Sequence, residues 1–307
     1  MGEHYIGIDI GGTTAKLVRL EAPGTVRDRA RVETHGRAAG ELIDALVAAA
    51  RPWLDDRRAP ARALGVAVPG LVDRAAGSVL PGCNLQQLDG FPIVAALRDA
   101  TGLPVELDND ANAAGLAEAL LGAARGADSV VCLTVGWGVG GAIVVGGRLW
   151  RGHSGMAGEL GRLRLGEDGS RTLEADIGAA AVVAAYRERG GRVAGDTDAR
   201  QVAARADEGD EAAREALARC GRRLGVGLAI LVNLLNPERI VVGGGIVGAG
   251  EWFLGPARRE CGRRARGAAW DRCELVVSKL GAEAGAIGAA LLCCEEPRGH
   301  NWPRDHP

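Results

Sequence analysis

Hydrophobic and polar positions change period along this chain at points that mark element boundaries. Tyr5-Ile6-Gly7-Ile8 and Leu17-Val18-Arg19-Leu20 are apolar runs, separated by Asp9-Ile10-Gly11-Gly12-Thr13-Thr14-Ala15-Lys16. That order predicts a strand, a tight turn at the paired glycines and a second strand. Thr25 to Val32 predicts a third strand with arginines outward, and Leu42, Ile43, Leu46 and Val47 place a helix over Gly40 to Trp53. Ala63 to Val68 reads as a buried strand ending at Pro69-Gly70. Leu71-Val72-Asp73 and Ser78-Val79-Leu80 read as a short hairpin, Phe91 to Thr101 as a helix, and Pro104 to Leu107 as a strand. That strand runs into Asp108-Asn109-Asp110-Ala111-Asn112, which opens a helix through Leu121. Asx residues are expected helix caps, yet this cluster holds more of them than one cap uses. A strand's carboxyl end feeding a helix is also where α/β proteins place ligands.

The second half repeats the opening pattern. Val130 to Val135 leads into Gly136-Trp137-Gly138-Val139-Gly140-Gly141, and Ala142 to Val145 leads out. Two strand–glycine turn–strand units in one chain imply an internal duplication. Ile240-Val241-Val242 then precedes Gly243-Gly244-Gly245, a helix from Trp252 to Arg263 and a strand from Cys273 to Val277. Leu224 to Leu235 is the longest apolar stretch. It falls short of the roughly 20 residues a membrane span needs and reads as a buried helix. A small-residue helix closes the pattern from Ala284 to Cys294, before a polar tail.

Composition narrows the classes. A length of 307 residues fits about two domains. A net charge of -2 gives no general attraction to nucleic acid or anionic lipid. The two lysines, Lys16 and Lys279, are each followed by leucine, so neither belongs to a Walker A loop. Seven cysteines without framework spacing suit free thiols in a reducing cytoplasm. With Asp9 so near the first residue, no secretory signal is expected.

The glycine turns carry the candidate chemistry. Adjacent glycines at 11 and 12 expose backbone N–H groups, and Thr13 and Thr14 add hydroxyls, a set that can cradle a phosphate. Asp9 would face the same phosphates and hold a magnesium ion, directly or through water. A formal dinucleotide fingerprint at Gly136, Gly138 and Gly141 opens a strand instead of a helix and is rejected. A second, at Gly243, Gly245 and Gly248, has the right flanks. The following strand, however, ends in Ser278-Lys279 and not in an acidic residue, which leaves a nicotinamide-dependent oxidoreductase as a distant alternative.

With these pieces placed, the chain resembles the ROK family of repressors and sugar kinases, within the actin-like ATPase superfamily. Asp9 to Lys16 resembles the family's D-x-G-G-T-x-x-K, and Asn109-Asp110-Ala111-Asn112 its N-D-A-N. Gly136 to Gly141 is similar to the second phosphate loop, Ala157-Gly158-Glu159-Leu160-Gly161 to the sugar-binding A-G-E-[IL]-G-H, and Thr172-Leu173-Glu174 to the end of G-C-L-E. Asn236-Pro237 through Gly245 resembles the adenosine-side loop. The resemblance runs from Tyr5 to about Leu292 and implies an α/β, two-domain actin-like (ribonuclease H-like) fold, with duplicated units and a cleft between them. The expected domains are residues 1–112 with 285–307, and 113–284. It implies a carbohydrate kinase that uses ATP and magnesium, with Asp110 as general base. Gly70, Asn84, Asn109, Glu159, Arg162 and Glu174 would bind the sugar. Asp9, Gly11, Gly12, Thr13, Thr14 and Lys16 would bind the nucleotide, with Gly136, Trp137, Gly138, Gly243, Gly244 and Gly245. A small-molecule sugar is the expected partner and a cytoplasmic homodimer the expected state, with neither nucleic acid nor membrane as a partner.

Three departures qualify the resemblance. The family's zinc segment, C-x-C-G-x-x-G-C, is Gly166 to Thr172 here and has no cysteine, so no zinc site is expected. The family histidine is Arg162, expected to pair with Glu174 or Glu159 and to brace the loop in place of zinc. Trp137 stands where the family has threonine, and would stack on a ligand, pack against the domain hinge or obstruct ATP. A catalytically silent sugar binder is therefore the alternative to the kinase, and polyphosphate the alternative donor. The repressor form carries a DNA-binding segment ahead of the first phosphate motif and is not expected with eight residues before Asp9.

Overall fold

A computed structural model describes residues 3–82, 85–165, 169–192 and 197–294. Its internal contacts divide the chain into two units, Met1–Gly126 with Gly147–Ala157 and Ala282–Pro307, and Ala127–Gly146 with Gly158–Gly281. In chain order the first part runs β1 (His4–Ile10), β2 (Thr14–Glu21), β3 (Thr25–Glu33), α1 (Ala39–Leu54), β4 (Ala61–Val68), β5 (Val72–Asp73), β6 (Ser78–Val79), α2 (Ile93–Thr101), β7 (Val105–Asn109) and α3 (Asp110–Leu120). The rest runs β8 (Ser129–Val135), β9 (Val139–Val145), β10 (Arg148–Leu149), β11 (Arg164–Leu165), β12 (Arg171–Thr172), α4 (Leu173–Ile177), α5 (Ala179–Glu188), α6 (Ala199–Asp207), α7 (Glu211–Leu235), β13 (Arg239–Gly243), α8 (Glu251–Arg264), α9 (Gly267–Trp270), β14 (Glu274–Val277) and α10 (Ala284–Leu292).

The first unit holds a sheet ordered β3-β2-β1-β4-β7. β1 pairs antiparallel with β2 and parallel with β4, and β7 continues the parallel side. β1 and β4 are apolar runs because both faces are covered. β3 is an edge strand whose Arg27, Arg29 and Arg31 face solvent, which discourages pairing with another chain. α10 lies on β1 and β4 at backbone distance. A Cβ at Gly7 would stand 1.9 Å from the Ala286 carbonyl oxygen, and one at Gly65 1.7 Å from that of Ala289. Gly288 meets the Ala113 carbonyl of α3 in the same way. Small residues on four elements make this approach possible.

The second unit repeats the plan, with β9-β8-β13-β14 ordered as β2-β1-β4-β7 and the same antiparallel, parallel, parallel pairing. Its core fills with Tyr186, Phe253, Leu224 and Leu228 against Ile240 and Val242. Two boundaries depart from the sequence reading. β9 begins at Val139, so the turn is Gly136-Trp137-Gly138 alone. Gly140 and Gly141 lie within the strand, and a Cβ at Gly141 would strike the Gly158 carbonyl at 2.5 Å. That glycine serves close packing and not a turn. The stretch Leu224 to Leu235 is the end of a helix begun at Glu211, with Leu224, Leu228, Leu231 and Val232 inward but Ile230 and Leu234 exposed. It is amphipathic and not buried all round. Among the described residues, no helix is long and apolar enough to cross a membrane.

Candidate functional site

The β1–β2 turn is built to offer backbone donors. The Gly11 N–H closes it onto the Thr14 carbonyl at 3.2 Å. Thr34, fully buried just past β3, holds it from behind: its hydroxyl donates to the Gly11 carbonyl at 2.8 Å and its N–H to the Thr13 carbonyl at 3.0 Å. Gly12 and Thr13 stay exposed at the tip, and nothing lies within 4 Å of a Cβ placed on Gly12. Asp9 and Lys16 face each other across the strands, with Nζ 3.6 Å from Oδ2. Burial raises the Asp9 carboxyl above its ordinary range, and Lys16 offsets part of that. A Cβ on Gly285 of α10 would stand 2.7 Å from the Asp9 carboxyl carbon, so only glycine leaves room there.

The Asx cluster at the β7–α3 junction divides its labour. Asn109 is the N-cap of α3, its Oδ1 accepting from Ala111 N–H at 2.8 Å and Asn112 N–H at 3.2 Å. Its amide nitrogen donates to the Gly70 carbonyl at 3.0 Å, tying the cap to the loop after β4. Asp108 is buried and structural. It accepts from Asn109 N–H and Asn112 Nδ2, each at 2.8 Å, and pairs with Arg151 Nε at 2.6 Å. Asp110 is the first residue of α3. Burial first, and the negative charge of Asp9 second, push its carboxyl up to about 6, against the Ala111 N–H that favours the anion. A carboxylate with that affinity for a proton is matched to accepting one near neutral pH.

In the second unit, two glycine turns sit at the carboxyl ends of neighbouring parallel strands, β8 and β13. Gly136 N–H bonds the Gly138 carbonyl and the Gly136 carbonyl accepts from Ala179 N–H, both at 2.9 Å, docking the turn on the start of α5. Gly244 has φ +88°, and a Cβ there would lie 2.3 Å from the Val135 carbonyl oxygen, so this crossing requires glycine. Gly245 opens the following 3-10 turn, bordered by the Arg200 guanidinium. Trp137 is 87 % exposed at the tip of its turn.

Three of the expected sugar contacts, Glu159, Arg162 and Glu174, lie in the second unit. Glu174 accepts Val139 N–H at 2.9 Å and thereby holds the start of β9. Arg162 is exposed, and among the described residues it makes no ion pair with Glu174 or Glu159. The turn Leu160–Arg162 directs Leu160 and Gly161 inward and the arginine outward. The expected brace is therefore not formed. Glu159 is exposed, and Asn84 lies outside the described residues, as does part of the zinc-like segment. Thr34 and Arg151 were missed. Each acts on a partner distant in sequence, and nothing local marks either one.

The duplicated sheets, their glycine turns and the half-buried carboxylate define the class, a phosphotransferase of the actin-like ATPase fold. The ROK family model matches residues 5–296. The chain belongs to the ROK family, and within it to the carbohydrate kinases. It is 33% identical over 316 residues to a glucokinase of Halalkalibacterium halodurans, covering 94% of each. It is 34% identical over 297 residues to an N-acetylmannosamine kinase of Escherichia coli O139:H28, covering 94% of this chain and 97% of that protein. Among solved structures, a ROK family glucokinase from Streptomyces griseus in complex with glucose and AMPPNP superposes with a TM-score of 0.78 at 32% identity, covering 94% of this chain and 98% of that one.

Proposed function

We propose that the chain transfers the terminal phosphoryl group of ATP to a hydroxyl of a hexose or N-acetylhexosamine, with Asp110 as general base. The observation that carries the reading is Asp110 at the start of α3, within electrostatic reach of Asp9 at the end of β1, with burial and that charge pushing its carboxyl up to about 6. A sugar hydroxyl is a poor nucleophile, and Asp110 takes its proton as the bond to phosphorus forms. Asn109 and the Gly70 loop orient the sugar, one fixed to the other. Glu159, exposed on its turn, is a further sugar ligand in this reading, and Glu174 acts mainly on the turn ahead of β9. In this reading the Gly11 to Thr14 and Gly136 to Gly138 turns take the phosphates, with the Gly11 and Gly136 N–H groups closing the turns, and Gly243 to Gly245 takes the nucleoside side.

Asp9 fits a magnesium ion in donor chemistry. Magnesium is commonly held by one or two carboxylates together with substrate phosphates, and Asp9 is one carboxylate at the phosphate turn. Bound there, the ion would neutralise charge on the phosphates. Lys16, 3.6 Å from Asp9, supplies a fixed positive charge to the same turn. The reading extends to a cytoplasmic homodimer, which sedimentation of the purified chain tests.

The experiment is a coupled ADP-release assay over a panel of hexoses and N-acetylhexosamines, with Asp110→Asn alongside. Sugar-dependent turnover by the parent and its loss in the variant support the proposal. Absence of turnover with every sugar would leave a silent sugar binder, and full turnover by the variant would remove Asp110 from the mechanism.

A further inference from the structure

One face of the second unit, formed by α5, α7 and α8, carries chemistry that phosphoryl transfer does not use. Two adjoining depressions open on it, each of about 270 Å³. Arg219 and Arg223, one turn apart on α7, line both. The first has a wall of Ala180, Ala181 and Ala184, with Arg171 and Asp176 at its rim. The second is rimmed by Arg222, Arg264 and Glu260, with Val226 beneath. Across the two, five arginines and three carboxylates, Asp176, Glu188 and Glu260, form the lining, and a fourth carboxylate, Glu215, engages Arg222 from beside it.

The ion pairs on this face do not consume that excess. Arg171 holds Asp176 at 2.6 Å and Arg219 holds Glu188. Arg222 pairs with Glu215 at 2.7 Å, and Arg263 and Arg264 share Glu260. Arg223 has a contact of 3.8 Å to Asp176, whose carboxylate is already engaged by Arg171. A guanidinium presents five N–H donors in a planar fork, so a single carboxylate partner leaves donors over. Several such forks around one hollow match the oxygens of linked phosphates, which accept bidentate, charge-assisted bonds. The alanine wall beside them offers no hydrogen bond and suits a carbon skeleton.

We propose that this face binds a small, multiply charged oligophosphate, at a site separate from the glycine turns, none of whose residues lines it. Two sources share that chemistry, a free inorganic phosphate chain and a nucleoside polyphosphate. None of the residues assigned to base, sugar or nucleotide contributes to the site.

Calorimetric titration of the full chain with inorganic tripolyphosphate, and separately with ATP, tests it. The expected result is a saturable component that weakens more than ten-fold in the double variant Arg222→Gln, Arg223→Gln and is retained by Arg222→Lys, Arg223→Lys. Both positions are exposed, and a melting curve checks that the variants fold; Arg223→Gln alone serves if the double variant does not. Rising salt should weaken the same component, since the pairs are open to solvent. Tighter variant-sensitive binding of ATP assigns the site to a nucleoside polyphosphate, and tighter binding of tripolyphosphate to the free chain. Equal affinities in parent and glutamine variant, or no saturable binding, overturn the proposal. Sugar-dependent turnover, measured on the same proteins, reports independently on the kinase reading.

Discussion

Asp110 holds its proton up to about 6 because burial and the charge of Asp9 outweigh the Ala111 N–H that stabilises the anion. Two outcomes follow, of opposite sign. A base works only when ionised, so kcat/KM should climb as pH rises through about 6 and level off above it. Stability runs the other way. The folded state binds this proton more tightly than the unfolded chain, so between about pH 4 and pH 6 Asp110 makes stability fall as pH rises. Asp110→Asn should therefore lose roughly 10²–10⁴-fold in turnover. It should also unfold at higher urea than the parent at pH 7, by at most about 3 kcal/mol. A variant less stable than the parent at neutral pH would contradict the assignment. Asp108, two residues earlier, behaves differently. Its carboxylate is buried and the pair with Arg151 part-buried, so Arg151→Ala should cost up to about 3 kcal/mol in urea unfolding by removing the carboxylate's cation. That the Asx run caps a helix at a strand's end was legible because both are local features; the resemblance supplied Asp110 as base and Asn109 as a sugar ligand, and the structure shows Asn109 to be the cap. Asp108 was not separable from them, since its cation comes 43 residues later.

Among the elements, α10 and the β8–β9 turn show how glycine is used. α10 lies so close to β4 that Gly65→Ala would bring a methyl group against the Ala289 carbonyl. A loss of about 3 kcal/mol or more in chemical denaturation is expected, because backbone cannot move aside as a side chain does. The small-residue composition of Ala284 to Cys294 announced close packing but not the partner. At the other element, Glu174 anchors β9 through the Val139 N–H. Glu174→Ala should raise the KM for ATP more than the KM for sugar. The reverse ranking in steady-state kinetics would return Glu174 to a direct sugar contact. The turn was visible as a glycine run, yet its length was overread, since Gly141 answers to the Gly158 carbonyl and not to turn geometry.

For the whole molecule, the repeat of one strand order in both units explains why the same motif occurs twice and why each unit carries glycine turns at strand ends. A sugar that binds only the folded chain must stabilise it. At a hundred times its dissociation constant, the true substrate should add about 2.7 kcal/mol, so a thermal-shift screen over the sugar panel should rank the sugars as turnover does. A discordant ranking would separate binding from catalysis. Chelation of divalent cations should abolish turnover and leave sugar-induced stabilisation largely in place, which distinguishes a metal acting on phosphates from one needed for folding.

By itself the sequence determined the periodic elements, the duplication, the paired glycines and the Asx junction, because each rests on neighbours within a few residues. Only the tertiary structure decided that Asp108 is spent on Arg151, that Glu174 supports a turn, that Arg162 faces solvent and that Thr34 holds the β1–β2 turn. In each case the deciding partner comes from another element or from the direction a turn gives the side chain. Spacing along the chain carries no record of either.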